Sequence, residues 1–451
     1  MSYPHSPRLL PYVVGVVLLT VFLLSQRCSR EPDLHLASNE ELIKLIAKMQ
    51  KGEPHDSLGN RAAGELASRP RKVVASELRS LLQTGDSNMR CTTAHLLGEF
   101  LADTTESRLE ADARKETETS LLALLDQPDE RVRASTLFGL GHGWSLTRPD
   151  SVPEPVAASI RDLIQSEVAE ARFQASLAAF WTGPAVDSVA EVLTTRLRTE
   201  PESSVRFALA CALGRVGAKY APAGAALVGL LDDAEEDVRF AAAGSLGDRP
   251  QVAADAISRL RRCLADESEA TGVRRAAAES LVKLVTSPAD VEAVLLGVLD
   301  SHSVFASYQE QRWLAALGKL GARAPNTDAA RAARERLEAA AQSETDNDAL
   351  VAASSLARIA CAERDRGLGE RVAVSLLGAL PTALSVAQDY PSRWSAEDDT
   401  YEPIMESLVD LALWPEMQVD ALKLRPVFEE LLKRPEWWIR EWAGEQLGRL
   451  E

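Results

Sequence analysis

The chain is poor in most of the residues that announce chemistry. Aromatic side chains make up 5% of its 451 residues, and there are six histidines and five cysteines. The cysteines stand at 28, 91, 211, 263 and 361 with no Cys-x-x-Cys pair, so an odd and scattered set excludes a disulfide framework and a zinc ribbon. Cys91 and Cys211 fall among apolar positions and read as small buried hydrophobes. No histidine lies in His-Glu-x-x-His or another close ligand spacing, which leaves no metal site legible. Nucleophile elbows, Walker loops and dinucleotide-binding glycine turns are missing as well, so no catalytic or cofactor-binding residue is assigned. Basic charge is in deficit: 50 Lys and Arg face 67 Asp and Glu, for a formal charge of -17. Nucleic-acid binding rests on neutralising phosphates, and this balance argues against it. Period-two alternation is absent too, so no strand is placed.

What the chain has in quantity is apolar residues, 46%, and a repeating pattern. The clearest copy is Asp237 to Gly247, with relatives on both sides. Aligned on Arg239, the register falls at Gly59, Arg90, Arg133, Arg172, Arg206, Arg239, Arg274, Glu310, Ala349, Tyr401 and Arg440. Most steps lie in the thirties to low forties, a period that two helices fill. Within the second helix of a pair the apolar residues share one stripe: Val205, Leu209, Leu213 and Val216, and again Val273, Ala277, Leu281 and Leu284. The acid four residues before the arginine (Asp86, Asp129, Glu202, Glu235, Glu436) is placed to cap that helix, and the arginine to pair with acids along the stack. The prediction is an all-α array of about 9–11 helix pairs over residues 39–451.

The signature acidic-x-x-Val-Arg-x-x-Ala-x-x-x-Leu-Gly, at Asp129 to Gly141, Glu202 to Gly214, Glu235 to Gly247 and Glu436 to Gly448, resembles HEAT repeats, in particular the short bacterial type called phycobilisome-lyase-like. The resemblance implies a right-handed α-α superhelix, a HEAT-like solenoid, that serves as a protein-binding scaffold. It weakens at Arg172, where Ala179-Phe180 replaces Leu-Gly, and where the arginine is lost at Glu310, Ala349 and Tyr401. The same resemblance raises two alternatives: an enzyme or enzyme subunit acting on a tetrapyrrole or a protein side chain, and a purely structural spacer. A related iron-dependent hydroxylase family uses His-Glu pairs, and no His-Glu dipeptide occurs here.

The period starts after residue 38 and is broken at three places within it, one of them the long, highly charged stretch Asp103 to Ser120, which is expected to extend a helix. Residues 1–8 form a short tail, 9–25 are almost wholly apolar between Arg8 and Arg27, and 26–38 form a linker. Seventeen residues of helix reach about 25 Å, so 9–25 is expected as a transmembrane anchor, making the protein single-pass and membrane-bound, with the side of its body undecided. A cleaved signal and a lipid-modified Cys28 compete with that reading. Gly141-His142-Gly143-Trp144 runs into a proline-rich stretch and is expected as a connector. The longest interruption, 389–403, carries Tyr390 and Trp394 among acids and is a candidate binding loop.

One position is varied in a telling way. The residue after the register arginine is aromatic in three consecutive units: Phe173, Phe207 and Phe240. At 100° per residue this offset lies about 165° from the centre of the core stripe. These three, with Trp394 and Tyr390, are the candidate contacts for a protein or peptide partner. Packing against the neighbouring repeat is the competing role. The tryptophans near the end (Trp414, Trp437, Trp438, Trp442) are expected to cover the last unit's open face.

Overall fold

The computed structural model describes residues 34–49, 57–102, 109–145, 151–249, 253–300, 310–342, 346–381, 401–414, 417, 419–420, 423–433 and 437–450. Among them there is no strand. They divide into two compact units, one ending at Gly217 and the other beginning at Ala218.

The amino-terminal unit contains α1 (Asn39–Met49), α2 (Ser57–Ser68), α3 (Arg71–Thr84), α4 (Ser87–Ala102), α5 (Ala111–Leu122), α6 (Glu130–Trp144), α7 (Glu154–Leu163), α8 (Ala169–Thr182), α9 (Ala190–Leu197) and α10 (Ser203–Arg215). Successive helices pair, and the second helices α4, α6, α8 and α10 pack side by side in series. The carboxy-terminal unit contains α11 (Ala221–Leu230), α12 (Glu236–Leu246), α13 (Ala253–Ala265), α14 (Thr271–Leu284), α15 (Pro288–Asp300), α16 (Glu310–Gly321), α17 (Asp328–Ala340), α18 (Asp346–Glu363), α19 (Arg366–Gly378), α20 (Tyr401–Ala412), α21 (Arg425–Leu431) and α22 (Trp437–Leu450). There α12, α14, α16, α18, α20 and α22 form the corresponding series.

The predicted stripe is the core. Val205, Leu209, Leu213 and Val216 are fully buried, as are Val273, Ala277 and Leu281. Burying a Val or Leu side chain is worth roughly 1.5–3 kcal/mol, so the stripe is what holds each second helix against its first. Cys91 and Cys211 are buried as read, and burial pushes both thiols up.

The acid that opens the second helix caps it only when it is short. Asp129 accepts from the backbone N–H groups of Arg131 and Val132, and Asp86 from that of Met89. Glu202 and Glu235 occupy the same place and cap nothing. The extra methylene carries their carboxylates past the free N–H groups. The register arginine does more than the sequence suggests: it folds back to the turn before its own helix. Arg172 donates to the carbonyls of Ser166 and Glu167, Arg206 to Pro201, Arg239 to Asp233 and Ala234, and Arg90 to Gln83 and Gly85. Each ties the start of its second helix to carbonyls of the turn that joins it to the first.

Two expectations are corrected. Gly141 to Trp144 is no connector: α6 continues through Trp144, and Gly141, His142, Gly143 and Trp144 are all buried. The glycines serve close packing, since a Cβ at Gly143 would stand 2.5 Å from Leu101 Cβ and one at Gly141 3.0 Å from Ala178 Cα. The membrane reading also falls. Crossing a bilayer takes about 20 apolar residues in one helix, and among the described residues no helix is long and apolar enough to do so. The single-pass anchor and membrane localisation drawn from 9–25 are therefore not supported, and that segment lies outside the described residues.

Candidate functional site

Numbering each second helix from its register residue, offsets +1 and +5 lie roughly 155–165° from the core stripe and +9 about 115° from it. Together they form a column on the side away from the first helices. Its chemistry differs sharply between the two units.

In the amino-terminal unit the column is aromatic. It runs Cys91, His95, Glu99 on α4; Ala134, Phe138, His142 on α6; Phe173, Leu177, Trp181 on α8; and Phe207, Cys211, Arg215 on α10. The rings meet across the helices. His95 and Phe138 lie 4.6 Å apart between centroids, Phe138 meets Trp181 edge-on at 4.6 Å, and Trp181 reaches His142 at 5.1 Å. Edge-to-face contact suits the ring quadrupoles and adds about 0.5–1.5 kcal/mol per pair beyond burial. Phe138, His142, Leu177 and Trp181 are buried although they point away from the first helices, because they cover one another. Phe173 and Phe207, nearer the helix starts, stay half-buried. Arg215 places its guanidinium 5.0 Å from the centroid of Phe180.

Close backbone approach makes the cluster possible. A Cβ on Gly98 would stand 2.5 Å from Gly139 Cα, so α4 and α6 touch main chain to main chain. Trp181 Nε1 and His142 Nδ1 are buried in the cluster without a hydrogen-bond partner; the latter lies 3.5 Å from a Glu99 carboxylate oxygen.

Burial, reinforced by the neighbouring charge site at His142, pushes His95 down to about 4. From its ordinary value of 6.5 down to about 4, the unfolded chain takes a proton that the folded His95 refuses. Stability therefore falls as pH drops through that window, by roughly 2–3 kcal/mol in all. His95→Leu is expected to remove this component, so that the difference in urea midpoint between wild type and variant changes between pH 7 and 4.

In the carboxy-terminal unit the same column is ionic. Lys283 on α14 pairs with Asp248 just past α12 at 3.2 Å, and Glu279 on α14 takes Arg312, which stands beside the column at offset +2 of α16, at 2.9 Å. Arg358 on α18 reaches Glu406 on α20, and Arg449 on α22 reaches Asp410 on α20. Burial pushes Glu406 up, but Arg358 and a hydrogen bond from Trp442 outweigh it and leave the carboxyl lowered. Each of these four cations meets an acid on, or just past, a neighbouring second helix, and within these pairs the charges cancel.

The predicted contacts fare unequally. Phe173 and Phe207 stand on adjacent packed helices of one unit. Phe240 belongs to the other unit, where its ring edge lies 3.7 Å from the place a Cβ on Gly272 would take, which is a packing contact with the next repeat. Tyr390 and Trp394 lie outside the described residues. Of the late tryptophans, Trp414 is buried and Trp442 packs against Phe428 at 5.6 Å between centroids. Gly141 and Gly143 around His142 disguise the aromatic cluster in the sequence as a connector; the helical offset of four between His95 and Glu99, and between Phe138 and His142, carries its signal.

A family model described as HEAT repeats matches residues 190–282 and 224–306. No curated protein matches the chain. Among solved structures, importin beta crystallised from ammonium sulfate is 16% identical, with 96% of this chain and 62% of that one covered and a TM-score of 0.53. An engineered protein is 17% identical over 92% of this chain and 99% of its own, with a TM-score of 0.38. Kap121p is 12% identical over 91% and 49% respectively, with a TM-score of 0.42. Only the first is close enough to bear on the fold, and at that identity it speaks for the fold alone. The HEAT-repeat match spans residues 190–306, and the described residues, which contain no strand, share a fold with importin beta.

Proposed function

We propose that the chain is a protein-binding scaffold, and that a partner protein or peptide segment docks on the column of second-helix residues in the amino-terminal unit. The observation that carries this is the pair Phe173 and Phe207. They are half-buried aromatics on neighbouring packed helices, at an offset the repeat pattern leaves free, in the column that also carries Phe138 and Trp181 further along the helices. The formal charge of -17 favours a partner surface that is basic or mixed. A few large anchors seated in an apolar surface carry most of the energy of such interfaces. Phe240 fits the packing role better, and the ion-paired column of the carboxy-terminal unit fits a spacer, so the binding role is placed on the amino-terminal unit.

Phe207→Ala is expected to cost about 1 kcal/mol or less in stability, since the ring is only half removed from water. The same change should weaken partner capture about tenfold or more. A photocrosslinker at 207, compared with one at the exposed Arg198 of the same unit, identifies the partner, and the affinity of the Phe207→Ala protein for it is then measured. A large loss of stability with unchanged affinity of the folded fraction would sink the reading.

A further inference from the structure

We infer that Glu99 and His142 form a proton-operated latch between α4 and α6: when His142 gains a proton, Glu99 closes onto it as an ion pair under the rings of Phe138 and Trp181. His142 is 6% exposed, and its Nδ1 makes no hydrogen bond even though a Glu99 oxygen lies 3.5 Å away. An imidazole nitrogen without a proton and a carboxylate are both acceptors and have nothing to share. One added proton turns that stand-off into a charge-assisted hydrogen bond, which is shorter and about twice as strong as a neutral one. Imidazole is the side chain whose charge changes most readily between about pH 5 and 8.

The moving part is Glu99. His142 is wedged against Trp181 at 5.1 Å and Phe138 at 6.4 Å, and the helices already touch at Gly98 and Gly139. Glu99 is partly in solvent, with 33% of its side chain exposed. The resulting imidazolium also lies within the distance at which a cation is drawn to an indole face.

The other charges around α6 leave this pair to itself. On α4, Arg90 is turned back to the carbonyls of Gly85 and Gln83, Cys91 lies a turn before His95, and burial, with the nearby His142, lowers His95. On α5, Arg114 and Glu118 pair with each other; Arg114 donates to the carbonyls of Leu101 and Gly143, and Glu118 accepts from Trp144 Nε1. Asp126, in the short turn after α5, is exposed. Asp162 on α7 holds Arg133 at the opposite end of α6. On α8 the charged groups Glu170 and Arg172 lie at the amino end, where Glu170 accepts from Gln174 and Arg172 is bound to Glu200; Arg172 is nine residues, or about 14 Å, from Trp181.

The latch lies on the face given above to a partner, but its test does not depend on one. In the full-length protein with isotope-labelled histidine, the imidazole resonances are followed by NMR from pH 8 to 5, His142 being assigned by its loss in His142→Gln. The expected result is a single His142 step, displaced to lower pH by about one unit, a tenfold loss of proton affinity, in Glu99→Gln. The wild type should also melt above Glu99→Gln by a margin that grows as pH falls through the step. An unchanged step in Glu99→Gln overturns the latch, as does a His142 that stays neutral at every pH where the protein remains folded. Either result leaves the partner-binding reading standing, since that is judged by Phe207 alone.

Discussion

Arg172→Ala is expected to destabilise the amino-terminal unit by about 3–5 kcal/mol. The side chain of Glu200 is completely buried and that of Arg172 is 4% exposed. Arg172 donates through Nε and Nη2 to the two carboxylate oxygens, both at 2.7 Å, while Nη1 serves the carbonyls of Ser166 and Glu167. Removing it leaves Glu200 with Arg196 and the Glu202 N–H as its remaining partners and strips two carbonyls of their donor. The comparison within the chain is Arg239 and Glu269, the same fork at 2.8–2.9 Å but with side chains 20% and 12% exposed. There water can stand in for the lost partner, and Arg239→Ala should cost less.

The pH dependence checks the cause. Burial pushes Glu200 up, yet the hydrogen bonds from Arg172 and Arg196 prevail and its carboxyl is lowered from 4.5. In the wild type this ionised group stabilises at pH above 4.5, and that contribution disappears as pH falls through the lowered value. Without Arg172 the largest group holding the carboxyl down against burial is gone, so the variant's Glu200 gives up less stability on taking a proton than the wild type's does. The gap between wild type and Arg172→Ala should therefore narrow from pH 7 towards 4. Amide hydrogen exchange over residues 169–182 measures it locally. An equal gap at both pH values would mean that lost packing, and not an abandoned carboxylate, is responsible.

How much of this was readable beforehand depends on the kind of residue. The register was legible: Arg90, Arg133, Arg172, Arg206, Arg239 and Arg274 are each the fourth residue of a second helix, as are Ala349 and Arg440, where the repeat pattern is weaker. Burial every three or four residues leaves a mark in sequence that a single lost arginine does not erase. Contacts between repeats left no such mark. Glu200 meets Arg172 from 28 positions away, and nothing in the stretch Glu200-Pro201-Glu202 distinguishes the fully buried acid from its exposed neighbour. The change of the outer column from rings in α4–α10 to ion pairs in α14–α22 is visible once offsets +5 and +9 are compared. Reading those offsets, however, required α6 to run on through Gly141 and Gly143, which local propensity argues against. The error at Gly141–Trp144 and the missed aromatic cluster thus have one source: glycine breaks helices in isolation, but between two packed helices it is what lets them meet.

That dual role gives the second large effect, Gly139→Ala. Alanine is the better helix former by about 1 kcal/mol, so an isolated α6 would gain from the change. In the folded unit the new Cβ would lie 2.3 Å from the carbonyl oxygen of Ala94 and 3.2 Å from its carbon. Both are backbone atoms in the middle of α4, with no flexible side chain to yield. The two helices must part, and with them the contact of Phe138 with His95 at 4.6 Å. The expected cost is about 3–4 kcal/mol, overpacking plus loosened rings, against the propensity gain. Gly244→Ala supplies the opposite case, because nothing lies within 4 Å of its Cβ on α12. There the propensity term acts alone, and a stabilisation of up to about 1 kcal/mol should raise the melting temperature. If both variants melt higher than wild type, α4 and α6 are not in main-chain contact, and the close approach on which the aromatic cluster rests is wrong. If Gly139→Ala drops sharply while Gly244→Ala rises, glycine in these second helices marks contact between repeats in the first case and a merely weak helix in the second.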